Sequence, residues 1–161
     1  MLRGIVREIE VVGQYRDNPF AYDIHIETPN HFVLTLYDHR HYLGAILIKD
    51  NYYRFWVKCI LVRDLTITPS NDTSYVGTVI DLDKKFGEDG YPKLTHSYTA
   101  NDSDRWCLVK SQFGNMLIER EKFMENGMEN ISLGEVVYWN CSRLDTVGYL
   151  EIKEEDFFAE D

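Results

Sequence analysis

The longest extended run in the chain is residues 51–68, which read NYYRFWVKCILVRDLTIT. Apolar side chains recur there at every second position, as at Tyr53, Phe55, Val57 and Cys59. This period of two predicts a strand with one side against a core. The length of the run indicates either a bent or bulged strand, or two strands joined without a loop.

The opposite side of the same run interleaves aromatic rings with cations, at Tyr52, Arg54, Trp56 and Lys58. Oligonucleotide-binding (OB) barrels stack bases on such rings, while cations follow the phosphate backbone. A single-stranded nucleic-acid or nucleotide binder using the face at residues 52–58 is therefore one alternative. A structural or protein-contact face is the favoured interpretation, because the chain as a whole is anionic.

A hairpin is predicted immediately before this run. Residues 20–27 (FAYDIHIE) and 31–38 (HFVLTLYD) alternate apolar and polar side chains. The Thr-Pro-Asn segment at 28–30 between them has the composition of a turn. Such short connections favour antiparallel pairing over crossovers.

Similar signals recur along the rest of the chain. The N-terminal residues 2–12 fit a strand ending at Gly13 better than a helix, and residues 115–126 (NMLIEREKFMEN) predict a helix. We expect one mainly β domain over residues 1–161, an antiparallel sandwich or barrel of about nine or ten strands with that one helix, although an α+β arrangement stays open. Further strands are predicted at 43–50, 75–83, 93–99, 105–111, 134–141 and 147–153.

Charge is distributed unevenly along the sequence. The formal net charge is −10, and residues 119–161 carry twelve acidic residues against four basic ones. Such an anionic segment opposes general binding to phosphate backbones, which requires Lys and Arg to displace counterions. It suits a basic protein partner that is attracted over a distance.

The acidic C-terminal segment, residues 151–161, also contains the adjacent rings Phe157 and Phe158. Leaving both rings in water is unfavourable, so we expect at least one to pack on this domain or on a partner. The carboxylates would then lie at a fixed place on the surface. The predicted partner-binding residues are Glu151, Glu154, Glu155 and Asp156, together with Tyr52, Arg54 and Trp56.

The stretch YDHRHYLG at residues 37–44 places two histidines, His39 and His41, beside Asp38. Zinc needs three or four protein ligands, and the other histidines stand alone in strand-like segments. Flanking apolar runs favour a turn without a metal. An enzyme of a β-rich fold with its site near these three residues is the remaining alternative.

The three cysteines, Cys59, Cys107 and Cys141, form no CxxC motif, and the first two lie among apolar residues as expected for a core. No secretory leader or long apolar run is recognisable, so a soluble, cytoplasmic setting is expected. We expect no cofactor. The favoured function is a non-catalytic acidic protein that binds a basic protein partner, of the inhibitor, immunity or phage and defence antagonist type.

Overall fold

The computed structural model describes residues 1–39, 42–84 and 105–160, and these ranges are mostly β-structure. They contain three short helices, α1 (Leu43–Ile46), α2 (Arg120–Glu125) and α3 (Glu154–Phe158). The strands are β1 (Leu2–Tyr15), β2 (Asn18–Glu27), β3 (Val33–Asp38), β4 (Tyr52–Ile60), β5 (Arg63–Thr66), β6 (Tyr75–Lys84), β7 (Trp106–Ser111), β8 (Gly114–Glu119), β9 (Val136–Asn140) and β10 (Arg143–Ile152).

All ten strands belong to one mixed sheet in the order β1-β2-β3-β10-β4-β8-β7-β6-β9-β5. An additional pairing between β1 and β4 closes the first five strands of this order into a ring. Five-stranded, partly open barrels are the architecture of the OB-fold. Apolar side chains at alternate positions, such as Ile24 and Leu36, fill the ring and are fully buried.

The other five strands come from the chain between β4 and β10 and extend the sheet beyond the ring. Their junction with the ring is a parallel bridge between β4 and β8, where Lys58 is opposite Leu117. A second parallel pairing joins β3 to β10. The expected antiparallel arrangement therefore holds for most of the sheet. The two parallel pairings depart from it, because in each of them a long segment of chain separates the two strands and allows the second to run in the same direction as the first.

Strand β4 is buried on both of its faces. One face, with Phe55 and Val57, belongs to the main core. Trp56, on the other face, is 7% exposed and packs with Trp106, Leu117 and Val147 in a second, smaller core. The prediction of a core-facing side is confirmed, and the opposite side is also covered at Trp56, because side chains from β7, β8 and β10 pack against it.

Several sequence predictions of secondary structure need correction. Residues 115–119, assigned to the start of a helix at 115–126, belong to β8, and only Arg120–Glu125 of that range is helical. Met116 and Ile118 fit the period of a strand as well as that of a helix. Antiparallel pairing with β7 stabilises the strand in the structure. Residues 43–50 begin with α1 rather than a strand. The predicted strand at 93–99 lies outside the described residues.

The other predicted elements agree with the structure. The N-terminal segment is a strand, and it continues past Gly13 to Tyr15. The 20–38 hairpin is present, with Ile24 opposite Leu36. Residues 51–68 divide into β4 and β5, one of the two forms expected. Among the described residues, no helix combines the length and the apolar character needed to cross a membrane.

We predict that Phe55→Ala and Trp56→Ala both lower the free energy of unfolding by about 3–5 kcal/mol, the usual cost of emptying a buried aromatic site. Both rings are buried, on opposite faces of one strand. Urea denaturation measures the loss. Ile67→Ala is the control, because Ile67 is 54% exposed. An unaltered midpoint for Trp56→Ala would show that the second core is not formed in solution.

Candidate functional site

Helix α3 is held against the barrel by one of its two phenylalanines. Phe157 is 1% exposed, and its ring lies 5.1 Å from that of Tyr52, centroid to centroid. Phe158 is 56% exposed. The expectation that at least one ring packs is therefore confirmed, and the ring packs on this domain.

Arg3 of β1 provides a second attachment for the same helix. Its Nη1 donates a hydrogen bond of 2.8 Å to the carbonyl oxygen of Phe157, and others to the carbonyl oxygens of Asp156 and Ala159. The last carbonyls of a helix have no partner inside it, so a cation there satisfies them and is favoured by the local dipole. The chain end is thereby tied to the first strand.

The carboxylates of the C-terminal segment consequently occupy a defined place. Glu154, Glu155 and Asp156 form the first turn of α3 and are exposed. Glu151, at the end of β10, accepts a 3.1 Å hydrogen bond from Asn51. We call Glu151, Glu154, Glu155 and Asp156 the acidic end. Desolvation, and then a hydrogen bond to Glu154, raise the pKa of the Tyr52 hydroxyl.

A shallow groove of about 630 Å³ runs along the acidic end. Its apolar lining is provided by Leu150 and Ile152, and Leu150 is 53% exposed. Its charged lining is provided by Arg54, Glu151, Lys153 and Asp156. Protein-binding surfaces combine apolar groups with polar and charged ones in this way. Three predicted partner-binding residues, Arg54, Glu151 and Asp156, thus meet at one groove.

The predicted face at residues 52–58 is divided by the fold. Tyr52 and Arg54 are partly exposed beside the acidic end, whereas Trp56 and Lys58 are buried. The Lys58 ammonium lies 4.6 Å from the Trp106 ring centroid and 3.7 Å from a Glu119 carboxylate oxygen. Trp56 therefore offers no open ring to a base or a partner, and a continuous stacking face along β4 is not present.

The described residues of the histidine stretch lie at the end of β3, at the start of α1 and next to these elements. Asp38 is buried, and its Oδ2 accepts a 2.8 Å hydrogen bond from the Leu43 backbone N–H at the start of α1. His39 is exposed and its ring stacks on Tyr37 at 5.4 Å. His41 lies outside the described residues. The Asp38 carboxylate thus has a structural role in starting the helix.

A different histidine lies within a group of potential metal ligands. Ligand atoms of Glu8, Glu10 and His25 lie within 4.8 Å of one another, and the other ring nitrogen of His25 is 2.9 Å from the Thr35 hydroxyl. Sequence reasoning treated His25 as isolated. Glu8 lies opposite His25 because the pairing of β1 with β2 shifts its register between Val6 and Glu8. No pattern in the sequence indicates this shift. Both carboxylates are exposed, as acidic surface groups commonly are.

The three thiols have different environments. Cys59 and Cys107 are buried, as expected for core residues, and Cys141 is partly exposed. The interaction between the Cys59 and Cys141 thiols lowers the pKa of Cys141, and the same interaction together with burial raises the pKa of Cys59. Burial raises the pKa of Cys107 to about 11. Cys141 therefore has the greatest thiolate character of the three.

We predict that Phe157→Ala releases α3 from the barrel, because the buried ring is its main apolar contact. The measurement is hydrogen exchange at the Asp156 and Phe157 amides, which bond to the Lys153 carbonyl. Exchange should accelerate in this variant. In the matched control Phe158→Ala, which removes an exposed ring, it should stay slow. Equal exchange in both variants would contradict the anchoring role.

We predict that iodoacetamide at pH 8 modifies Cys141 first in the native protein, because the thiolate is the reacting form. Mass spectrometry of digested peptides identifies the site. Cys59 and Cys107 should react only after unfolding, since both are buried and their pKa values are raised. Cys141→Ser should remove the native-state reaction, and early modification of Cys107 would refute the assignment.

No protein-family model matches the chain, and no curated protein matches it either.

Proposed function

We propose that this protein is a non-catalytic binding protein that engages a basic protein partner through the acidic end. The observation that carries the proposal is the attachment of α3, which holds three adjacent carboxylates at one place, beside a groove lined by Leu150, Ile152 and four charged side chains. Carboxylates on a frayed tail would attract a partner without orienting it. Fixed ones favour both encounter and a defined register.

Charge supports a basic partner in particular. Twelve of the 27 acidic residues lie in residues 119–161, which carry only four basic ones. Four of these twelve carboxylates form the acidic end, and anionic groups fixed on a surface in this way speed the association of a cationic protein by long-range attraction. Exposed apolar groups next to the carboxylates, such as Leu150 and Phe158, would then supply the short-range contact.

The class of partner that fits best is a basic enzyme or toxin, and the binding protein would act as its inhibitor or antagonist. A small acidic domain can neutralise a basic enzyme by covering its substrate-binding surface, which needs no catalytic group of its own. A cytoplasmic setting and an immunity or phage and defence role belong to this same proposal.

A second candidate is single-stranded nucleic-acid or nucleotide binding, which the five-stranded ring favours because OB-folds use that architecture for oligonucleotides. A fold by itself does not assign a function. The burial of Trp56 and Lys58 removes two of the groups on which this candidate depended. It therefore ranks below the protein-binding proposal.

The test is to replace the three α3 carboxylates together, as Glu154→Gln, Glu155→Gln and Asp156→Asn. Partners captured from the native cell by the unaltered chain are identified, and their association rates with both forms are measured against salt concentration. We expect the variant to associate more slowly at low salt. The difference should shrink as ionic strength rises, because exposed charges are screened beyond about 8 Å near 0.15 M.

A matched control makes the same change in net charge elsewhere, as Glu121→Gln, Glu125→Gln and Glu129→Gln. These side chains are exposed on or near α2. Loss of association in the first variant and retention in the control supports binding at the acidic end. Equal rates in all three forms, indifferent to salt, would reject the proposal.

A further inference from the structure

A second cavity, of about 480 Å³, lies where the barrel meets the outer strands. The barrel side provides Arg3 and Arg54, and the β7–β8 hairpin provides Lys110. Among the described residues that line it, three are cations and none is a carboxylate. A cavity of this composition is unexpected in a chain whose net charge is −10.

The two arginines occupy directly opposite positions. Arg3 of β1 and Arg54 of β4 are register partners in an antiparallel pairing. Like charges at such positions destabilise a sheet, because their side chains leave the strands side by side. The α3 carbonyl oxygens that accept hydrogen bonds from Arg3 offset part of this repulsion, and an anion bound between the two guanidinium groups would offset it further.

Arg54 also has a buried donor that is not satisfied. Its Nε is inaccessible to solvent and has no hydrogen-bond partner among the described residues. A buried N–H without a partner costs stability, and in native proteins such a group usually has a functional reason or an external partner. The guanidinium of an arginine offers donors in a fork that matches the oxygens of a phosphate.

The backbone of the β7–β8 turn brings the third cation close. Gly114 has a φ of +133°, a conformation that glycine adopts readily, and a Cβ there would lie 3.2 Å from the Leu2 Cα. The absence of a side chain at this glycine therefore lets the hairpin approach β1, and Lys110 lies on the strand leading into the turn.

We propose that this cavity, the arginine pocket, binds a small phosphorylated molecule, with its phosphate held by Arg54, Arg3 and Lys110. Its volume is within the range of small-molecule sites. Ile80 and Phe113 provide apolar walls, and the Asn30 and Asn115 amides provide polar groups for the rest of the ligand. This site shares Arg54 with the groove at the acidic end, but its other lining residues differ, and it does not depend on the proposed protein partner.

The test measures binding of pyrophosphate and of adenosine monophosphate by calorimetry at low ionic strength. We expect saturable binding of one equivalent and a raised Tm in the presence of either ligand. Lys110→Ala and Arg54→Met should each weaken binding about tenfold or more, the loss expected for one charge-assisted hydrogen bond. Tighter binding of the nucleotide than of pyrophosphate would show that the apolar walls contribute.

Lys49→Ala is the matched control, because Lys49 is an exposed lysine outside the pocket. It should bind as the unaltered protein does. Arg54→Met should leave the Tm without ligand unchanged or higher, since it removes a like-charge pair and a buried unsatisfied donor. A lower Tm with unchanged ligand affinity would make Arg54 a structural residue and overturn the proposal.

Two further outcomes also overturn it. One is the absence of saturable binding by either ligand at millimolar concentration. The other is binding of a single-stranded oligonucleotide without binding of the small phosphates, which would assign the cations to a nucleic-acid backbone. Lys110 is an exposed residue of β7, so its variant provides the test of the pocket if Arg54→Met fails to fold.

Discussion

Strand β4 is the element on which the whole structure depends, because it pairs with β1, β10 and β8. Its pairing with β1 closes the barrel, and its bridge to β8 joins the barrel to the outer strands. Burial on both faces follows, since each face must be covered by a different part of the sheet. Phe55 belongs to one core and Trp56 to the other.

Both candidate sites derive from the first residues of this strand. Tyr52 receives the Phe157 ring and so places α3, while Arg54 lines the groove at the acidic end as well as the arginine pocket. Arg3, opposite Arg54, holds the carbonyls of α3. One short stretch of β1 and β4 therefore borders both the acidic end and the cations of the arginine pocket.

The sequence by itself determined the β class, most strand positions, the 20–38 hairpin and the need to bury a ring near the chain end. These follow from local physics. Alternating side chains fit a pleated strand, a Thr-Pro-Asn segment turns the chain, and a phenylalanine in water is unfavourable. The acidic end was likewise recognisable, because its carboxylates are adjacent in sequence at Glu154, Glu155 and Asp156.

Only the tertiary structure decided what lies across the sheet from each residue. Met116 and Ile118 are compatible with helix or strand until β7 pairs with them, and Trp56 is exposed or buried according to whether the outer strands cover it. The arginine pocket joins residues more than fifty positions apart, Arg3, Arg54 and Lys110. Strand register and closure bring such residues together, and these depend on long-range pairing that no local sequence pattern encodes.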